Sequence, residues 1–357
     1  MSLIETRLNN FREQSPLDKN EVRPSRYGAL DLFVTETDRP DSAISANLKQ
    51  RALTSIGTDI EVPVIDADQD VKITNTREVI IPDDENTSKL YKMVFTTYAF
   101  GFTMIPTNYH NNEIDYQRDF NRKLEKYLVA LGAKLDSQAI AALEANKTQV
   151  FADTLGYENV GNVLQSKHSQ RKLVLGDMGI VMDNNDYFGD LHVVGNGGIQ
   201  SLVRELAQSD IYNAENKRNE WADKIFHFTT RLANEEGNYG TFYTVEGGQV
   251  GVLTRFEREA LRNAKSRTGH EWGISNLPIL NIPCGTYYYE SVGNQSAVAG
   301  AASADNTRAI KESYGFAVDI AFVTPYNSDP ANIASPILAT TIKEEGAQDA
   351  INVKMVE

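Results

Sequence analysis

No other part of the chain holds a helical period as long as Glu113 to Phe151, EIDYQRDFNRKLEKYLVALGAKLDSQAIAALEANKTQVF. Tyr116, Phe120, Leu124, Leu128, Leu131 and Leu135 recur every three or four residues and fall on one stripe, while Arg118, Asp119, Arg122, Lys123 and Glu125 lie mostly off it. The pattern predicts a spine helix over 113–150; at about 1.5 Å per residue the whole stretch spans roughly 50 Å. Gly132 interrupts it, and Asp136 with Ser137 offers cap chemistry, which leaves room for a bend near Lys134. A helix this long with one apolar stripe needs a broad sheet or an extended lobe to lie along.

The 357 residues suffice for two lobes with separate cores. With 41% hydrophobic and 24% charged residues, the composition is that of a globular protein and excludes a fibrous or disordered one. No apolar run is long enough to cross a bilayer. The opening MSLIETRLNNFREQ lacks the basic start and apolar core of a signal peptide, so synthesis in a cytoplasm is expected. The single cysteine, Cys284, excludes an internal disulfide and a thiolate zinc cluster. A net charge of −14 argues against tight nucleic-acid binding by phosphate neutralisation, though not against contact with nucleic acid by confinement.

Along the chain, residues 1–40 are polar, broken by Pro16, Pro24 and Pro40, and read as an extended arm. Ile44, Leu48, Ala52 and Ile56 predict a short helix stopped by Gly57. Residues 58–90 change to period two: Ile60, Val62 and Val64 alternate, and a polar stretch, REVII and the acidic turn PDDENTS follow, giving a two-stranded excursion with little core of its own. Tyr91, Met93 and Phe95 alternate, then the phase passes across Thr97 and Tyr98 to Phe100, Phe102 and Met104, which predicts a bulged strand running into the spine helix. From Gly176 to Ala264 the pattern is mixed α/β: strand LHVVGN, then a helix capped by Asn196 with Ile199, Leu202, Val203 and Leu206 on one face. TFYTVEGGQVGVL reads as strand, turn and strand, and Thr254-Arg255-Phe256-Glu257 as a capping box opening FEREALRNA. Residues 276–291 read as a strand pair, SVGNQSAVAGAASADN as a loop, and YGFAVDIAFVTPY and SPILATTIKEE as closing strands around a turn begun at Asp329-Pro330.

Candidate chemistry is sparse. Asp66, Asp68 and Asp70 occupy the acidic positions of a calcium loop, but Val71 stands where Gly is required and Arg77 where the bidentate Glu belongs. Gly195-Asn196-Gly197-Gly198 sits between strand and helix, as phosphate loops do, without the Lys-Ser or Lys-Thr that completes one; a tight turn is the simpler reading. His110, His168, His192, His227 and His270 are far apart in sequence and none has a metal-ligand partner at helical spacing. Cys284, among apolar residues, reads as a buried thiol rather than a nucleophile. No GxSxG occurs. No catalytic, cofactor-binding or metal residue is therefore assigned, and the chain is expected not to be an enzyme.

The order of parts carries more than any motif. A proline-broken arm, a short helix, a two-stranded excursion, a strand feeding a long helix, an α/β lobe, then Leu277-Pro278-Ile279-Leu280, Gly285-Thr286 and closing strands resemble the major capsid protein of tailed bacteriophages, with its HK97-like α+β fold. The resemblance implies an N-arm at 1–57, an E-loop at 58–90, a peripheral domain at 91–170 carrying the spine helix, an axial domain at 171–295, and closing strands at 296–357. It further implies self-assembly into hexamers and pentamers of an icosahedral shell around double-stranded DNA, made in a host bacterial cytoplasm, with a portal protein at one vertex. The short arm implies a separate scaffolding protein or none; decoration proteins are also partners in such shells. Some relatives crosslink an E-loop lysine to a neighbour; Lys72, Lys89 and Lys92 lie in that region, with no motif to fix the chemistry. Two rival readings are an encapsulin-like nanocompartment and an unrelated two-domain enzyme or ligand-binding protein.

Overall fold

The computed structural model describes residues 3–14, 27–40, 42, 44–54, 59–64, 89–109, 112–148, 155–210, 224–255, 270–278, 280, 282–294, 308–325, 327 and 334–345. In chain order the elements are α1 (Leu3–Gln14), α2 (Gly28–Thr37), α3 (Ala46–Thr54), β1 (Asp59–Val64), β2 (Lys89–Val94), β3 (Thr96–Met104), α4 (Glu113–Asn146), β4 (Glu158–Val160) and β5 (Val163–Ser166). They continue with α5 (Val174–Asp183), β6 (Leu191–Gly195), α6 (Gly197–Asp210), β7 (Ile225–Phe228), β8 (Asn238–Glu246), β9 (Gly251–Arg255), β10 (His270–Asn276), β11 (Pro283–Asn294), β12 (Arg308–Val323) and β13 (Ile337–Lys343). The protein is α+β.

Two sheets divide the molecule. One is antiparallel, in the order β10-β11-β12-β3, with β9 paired to the far end of β12. The other is mixed, in the order β4-β5-β13-β8-β6-β7, with β5–β13 and β6–β7 parallel. A separate antiparallel ladder joins β1 to β2, from Asp59 opposite Val94 to Val64 opposite Lys89. Strands β10 and β11 belong to the sheet of β3, and β5 to the sheet of β8, so sheet membership cuts across a division of the chain at 170 and 295.

Helix α4 is the spine that the sequence predicts, ending at Asn146 rather than 150. Its whole stripe is buried: Tyr116, Phe120, Leu124, Leu128, Leu131 and Leu135, continued by Ala139 and Leu143. The helix bridges both sheets. Phe120 meets the rings of Phe102 and Tyr314 in the first sheet, and at the other end Glu144 accepts a hydrogen bond from the hydroxyl of Tyr243 in the second. Asn112 caps its start by accepting from the N–H groups of Ile114 and Asp115.

The bend expected near Lys134 does not occur; the helix runs unbroken through it. Gly132 is a contact, not a break, because the ring of Tyr27 occupies the space where a Cβ would stand, 2.7 Å from Cζ. Asp136 is wholly buried and reaches off the helix to accept from the Leu30 N–H, at 3.0 Å, and from the Thr229 hydroxyl. It thus caps α2 rather than a second segment of α4.

The arm expected at 1–40 is also corrected, because it contains two helices. Ile4, Leu8 and Phe11 of α1, and Leu30, Leu32 and Phe33 of α2, are buried in the core of their own subunit. Arg7 fixes α1 to the spine, donating to Glu113 and Gln117 and lying 4.6 Å over the Tyr116 ring. Pro16 and Pro24 lie outside the described residues and Pro40 lies beyond the end of α2. Two smaller corrections concern strands. The pair expected within 276–291 is β10 and β11, beginning at His270, with 277–282 as its connection. Thr254 and Arg255 belong to β9 and not to a helix cap; the expected helix after them, the REVII strand and the turn at Asp329-Pro330 lie outside the described residues.

Candidate functional site

The described residues are read here through the surfaces they present. The ladder β1–β2 presents two faces. Ile60 and Met93 are buried, with Val62 and Tyr91 partly so, against Ile44, Leu48 and Ala52 of α3, Leu253 of β9, and Ala321 and Val323 of β12. The other face carries Asp59, Glu61, Lys92 and two exposed apolar side chains, Leu90 (66% exposed) and Val94 (62%). Lys92 pairs with Asp59 across the ladder, which holds the carboxyl below and the ammonium above their usual ranges. At Phe95 the chain leaves the ladder, and the buried set shifts from Met93 and Phe95 to Tyr98, Phe102 and Met104, the change of phase predicted from the sequence.

Along β3 the first sheet is covered on one face only, whereas at its β9 end Leu253, Ala321 and Val323 are buried under α3 and the ladder. Phe102, Met104, Tyr288, Tyr314, Phe316 and Val318 turn towards α4, and Thr97, Ala99, Gly101 and Thr103 turn away from it into solvent. On the tip of β11–β12, Val292 and Ile310 face each other across the strands and are both exposed. The N-terminal half of the spine meets this sheet through a buried polar knot, in which the Tyr116 hydroxyl bonds Glu312 and Tyr314. Burial, then the neighbouring carboxylate, push the Tyr116 phenol far up, so it stays a donor at all ordinary pH.

The sequence-derived candidates fall as follows. Asp66, Asp68, Asp70, Lys72 and His110 lie outside the described residues. Among the described residues no group of three or more His, Cys, Asp and Glu is arranged to hold a metal ion. Gly195 to Gly198 is a packing turn: Asn196 Oδ1 accepts from the N–H groups of Gly198 and Ile199, and a Cβ on Gly198 would stand 2.0 Å from the carbonyl oxygen of Tyr239. Cys284 is buried, and desolvation pushes its thiol up to about 12, which removes the thiolate needed of a nucleophile. His168 meets the Tyr239 ring edge-on and His270 stacks on Tyr289.

Two histidines that are distant in sequence come together, contrary to expectation. Parallel pairing of β6 with β7 sets His192 opposite Ile225 and His227 opposite Val194, so the two rings are diagonal neighbours on one face. His192 Nδ1 lies 3.1 Å from His227 Nε2, and both side chains are buried. Sequence spacing carries no signal for this, because the 34 residues between them say nothing of strand pairing.

Comparison with known proteins gives a likeness in structure alone. No family model matches the chain, and no curated protein matches it. Similar solved structures include one from Mycobacterium phage Adephagia (10% identity, 90% of this chain and 91% of that one, TM-score 0.45). Another is from Mycobacterium phage Bobi (14% identity, 87% and 94%, TM-score 0.41). A third is the capsid of cyanophage P-SCSP1u (11% identity, 82% and 84%, TM-score 0.41).

Proposed function

We propose that this chain is a structural shell subunit, the major capsid protein of a tailed phage with an HK97-like fold. The observation that carries the reading is the β1–β2 ladder. It belongs to neither sheet, is packed along one face at its base, and turns Leu90 and Val94 to solvent. A two-stranded ladder is marginal by itself, and its outer face gains stability only against a second surface. In a shell that surface is a neighbouring copy. The first sheet, open on one face along β3, and the spine helix that ties it to a second sheet whose central strands are covered on both faces supply the rigid plate from which such a ladder projects.

On this reading the chain assembles into hexamers and pentamers around double-stranded DNA, in the host cytoplasm, with a portal protein and, where needed, scaffolding and decoration proteins. Residues 58–90 act as the E-loop. The DNA is enclosed rather than bound: with a net charge of −14 the subunit has no excess of cations to neutralise phosphates, so packaging is motor-driven. Electron microscopy and sedimentation of the protein expressed alone and with its neighbouring genes test the reading. Capsomers or closed particles are expected; a monomer or small oligomer under every assembly condition would overturn it.

A further inference from the structure

The chain passes from the ladder to the first sheet across a single residue. β2 ends at Val94 with β1 as its hydrogen-bond partner, β3 begins at Thr96 with β12 as its partner, and Phe95 between them belongs to neither pairing. Phe95 is thus the joint between the two. It is 5% exposed, and the guanidinium of Arg255, the last residue of β9, lies over its ring with Cζ 4.5 Å from the centroid.

Arg255 is itself held in place. Strand register sets Arg255 of β9 and Thr97 of β3 opposite Asp319 of β12, one on each side of it. Arg255 Nε donates to Asp319 Oδ2 at 3.2 Å and the Thr97 hydroxyl donates to Oδ1 at 2.7 Å, so each carboxylate oxygen is taken by a strand flanking β12. The charged side chains of Arg255 and Asp319 are 10% and 9% exposed. This row marks a border on one face of the sheet: on one side of it Leu253, Ala321 and Val323 lie under α3 and the ladder, and on the other Ala99, Gly101 and Thr103 face solvent. Asp59, at the foot of β1, is held below the ordinary carboxylate range first by Lys92 and in smaller part by the charge of Arg255.

A buried ion pair returns little net stability, because desolvating both ions offsets their attraction. What it does supply is direction: a planar guanidinium with an edge on a carboxylate and a face on a ring has one orientation. The other contacts of the ladder act differently. Apolar packing under Ile60 and Met93 is non-directional, and Arg51 of α3, donating to the Glu61 carbonyl at 3.0 Å, ties the ladder to a helix rather than to the sheet. We propose that Arg255, braced by Asp319 and Thr97, is a positioning residue that fixes the angle at which the ladder leaves the first sheet. Its consequence for assembly rests on the shell reading, in which Leu90 and Val94 must reach a neighbouring copy in one orientation; the angle itself does not.

Spin labels on the full-length, unassembled subunit at Leu90→Cys on the ladder and Thr103→Cys on β3, both exposed positions, report the angle as a distance distribution; Cys284 is buried. Arg255→Met combined with Asp319→Asn removes both charges and leaves no unpaired buried ion, so it should melt close to wild type while the distribution broadens about twofold or more. Arg255→Lys keeps the charge without the planar face or the Nε donor and should broaden it as well. Met93→Ala opens space beside the joint but leaves the row intact, and should lower the melting temperature while keeping the wild-type width. Wild-type width in either Arg255 variant, or equal broadening in Met93→Ala, would overturn the proposal. Should both Arg255 variants be insoluble, Phe95→Leu removes the ring with the ion pair in place and decides alone: broadening supports the proposal and wild-type width overturns it. Sedimentation under assembly conditions keeps the two readings apart, since a wild type that never assembles refutes the shell, whereas the distance distribution decides the role of Arg255.

Discussion

The two sheets of this molecule are built on different principles. In the second, neighbouring residues of one strand serve different cores: Val193, Phe242 and Leu338 pack under α5 and α6, while Val194, Tyr243 and Ala339 pack towards α4. Its central strands are covered on both faces, and β6 is buried at every position. In the first sheet, β3 alternates, with Phe102 and Met104 against α4 and Gly101 and Thr103 in water. A sheet covered on both faces is finished within its own subunit, whereas one covered on a single face keeps a surface for partners. On the proposed reading, the surface open to a neighbouring copy is the uncovered face of β3 and the outer face of the ladder.

Carboxylates placed in the two sheets break this comparison if it is wrong. Val193→Asp and Val194→Asp should each cost several kcal/mol, enough to abolish soluble expression, because both faces of β6 are closed to water. In β3, Phe102→Asp should do the same while Thr103→Asp leaves the melting temperature nearly unchanged. A normal melt of either the Val193→Asp or the Val194→Asp protein, measured on the soluble fraction, would show that the corresponding face of the second sheet is open.

The spine serves both sheets, so its stripe should be intolerant along its whole length. Leu128→Asp buries an unpaired carboxylate and is expected to cost several kcal/mol; soluble protein with a normal melt would mean the stripe is not buried. A smaller effect is expected at the cap between α4 and α2. Asp136→Ala strands the Leu30 N–H and the Thr229 hydroxyl and should cost about 1–3 kcal/mol in denaturant titration. Burial raises the Asp136 pKa above its unfolded value, so its carboxylate opposes folding: stability attributable to it is fullest in acid and is lost as pH rises through the folded pKa. Asp136→Asn should keep an acceptor for Leu30 and remove that pH dependence, and an unchanged profile would assign the dependence elsewhere.

The smallest effect on folding, and the largest on assembly, belongs to the excursion. Replacing Asp66 to Ser88 by a short Gly-Ser linker should leave a soluble, cooperatively melting subunit that no longer forms shells. Closed particles from this variant would show that 58–90 is not an E-loop. Failure to fold would show that it belongs to a core.

Where one face of an element meets water, the sequence showed the element. The stripe from Tyr116 to Leu135, the alternation and change of phase between Met93 and Met104, and Asn196 capping Ile199 and its successors are local patterns, and local patterns survive without knowledge of partners. The helices at 3–14 and 28–37 had a signal too, in Ile4, Leu8 and Phe11, but their polar flanks and the prolines around them hid it. Other features had no local signal. Gly132 and Asp136 look like a helix break, and only the docking of Tyr27 and α2 against them makes one a contact and the other a cap. His192 and His227 become neighbours solely because β6 and β7 pair in parallel. Period and composition are properties of one segment, and the sequence carries them openly. Contacts between segments depend on strand order and register, which tertiary packing alone decides.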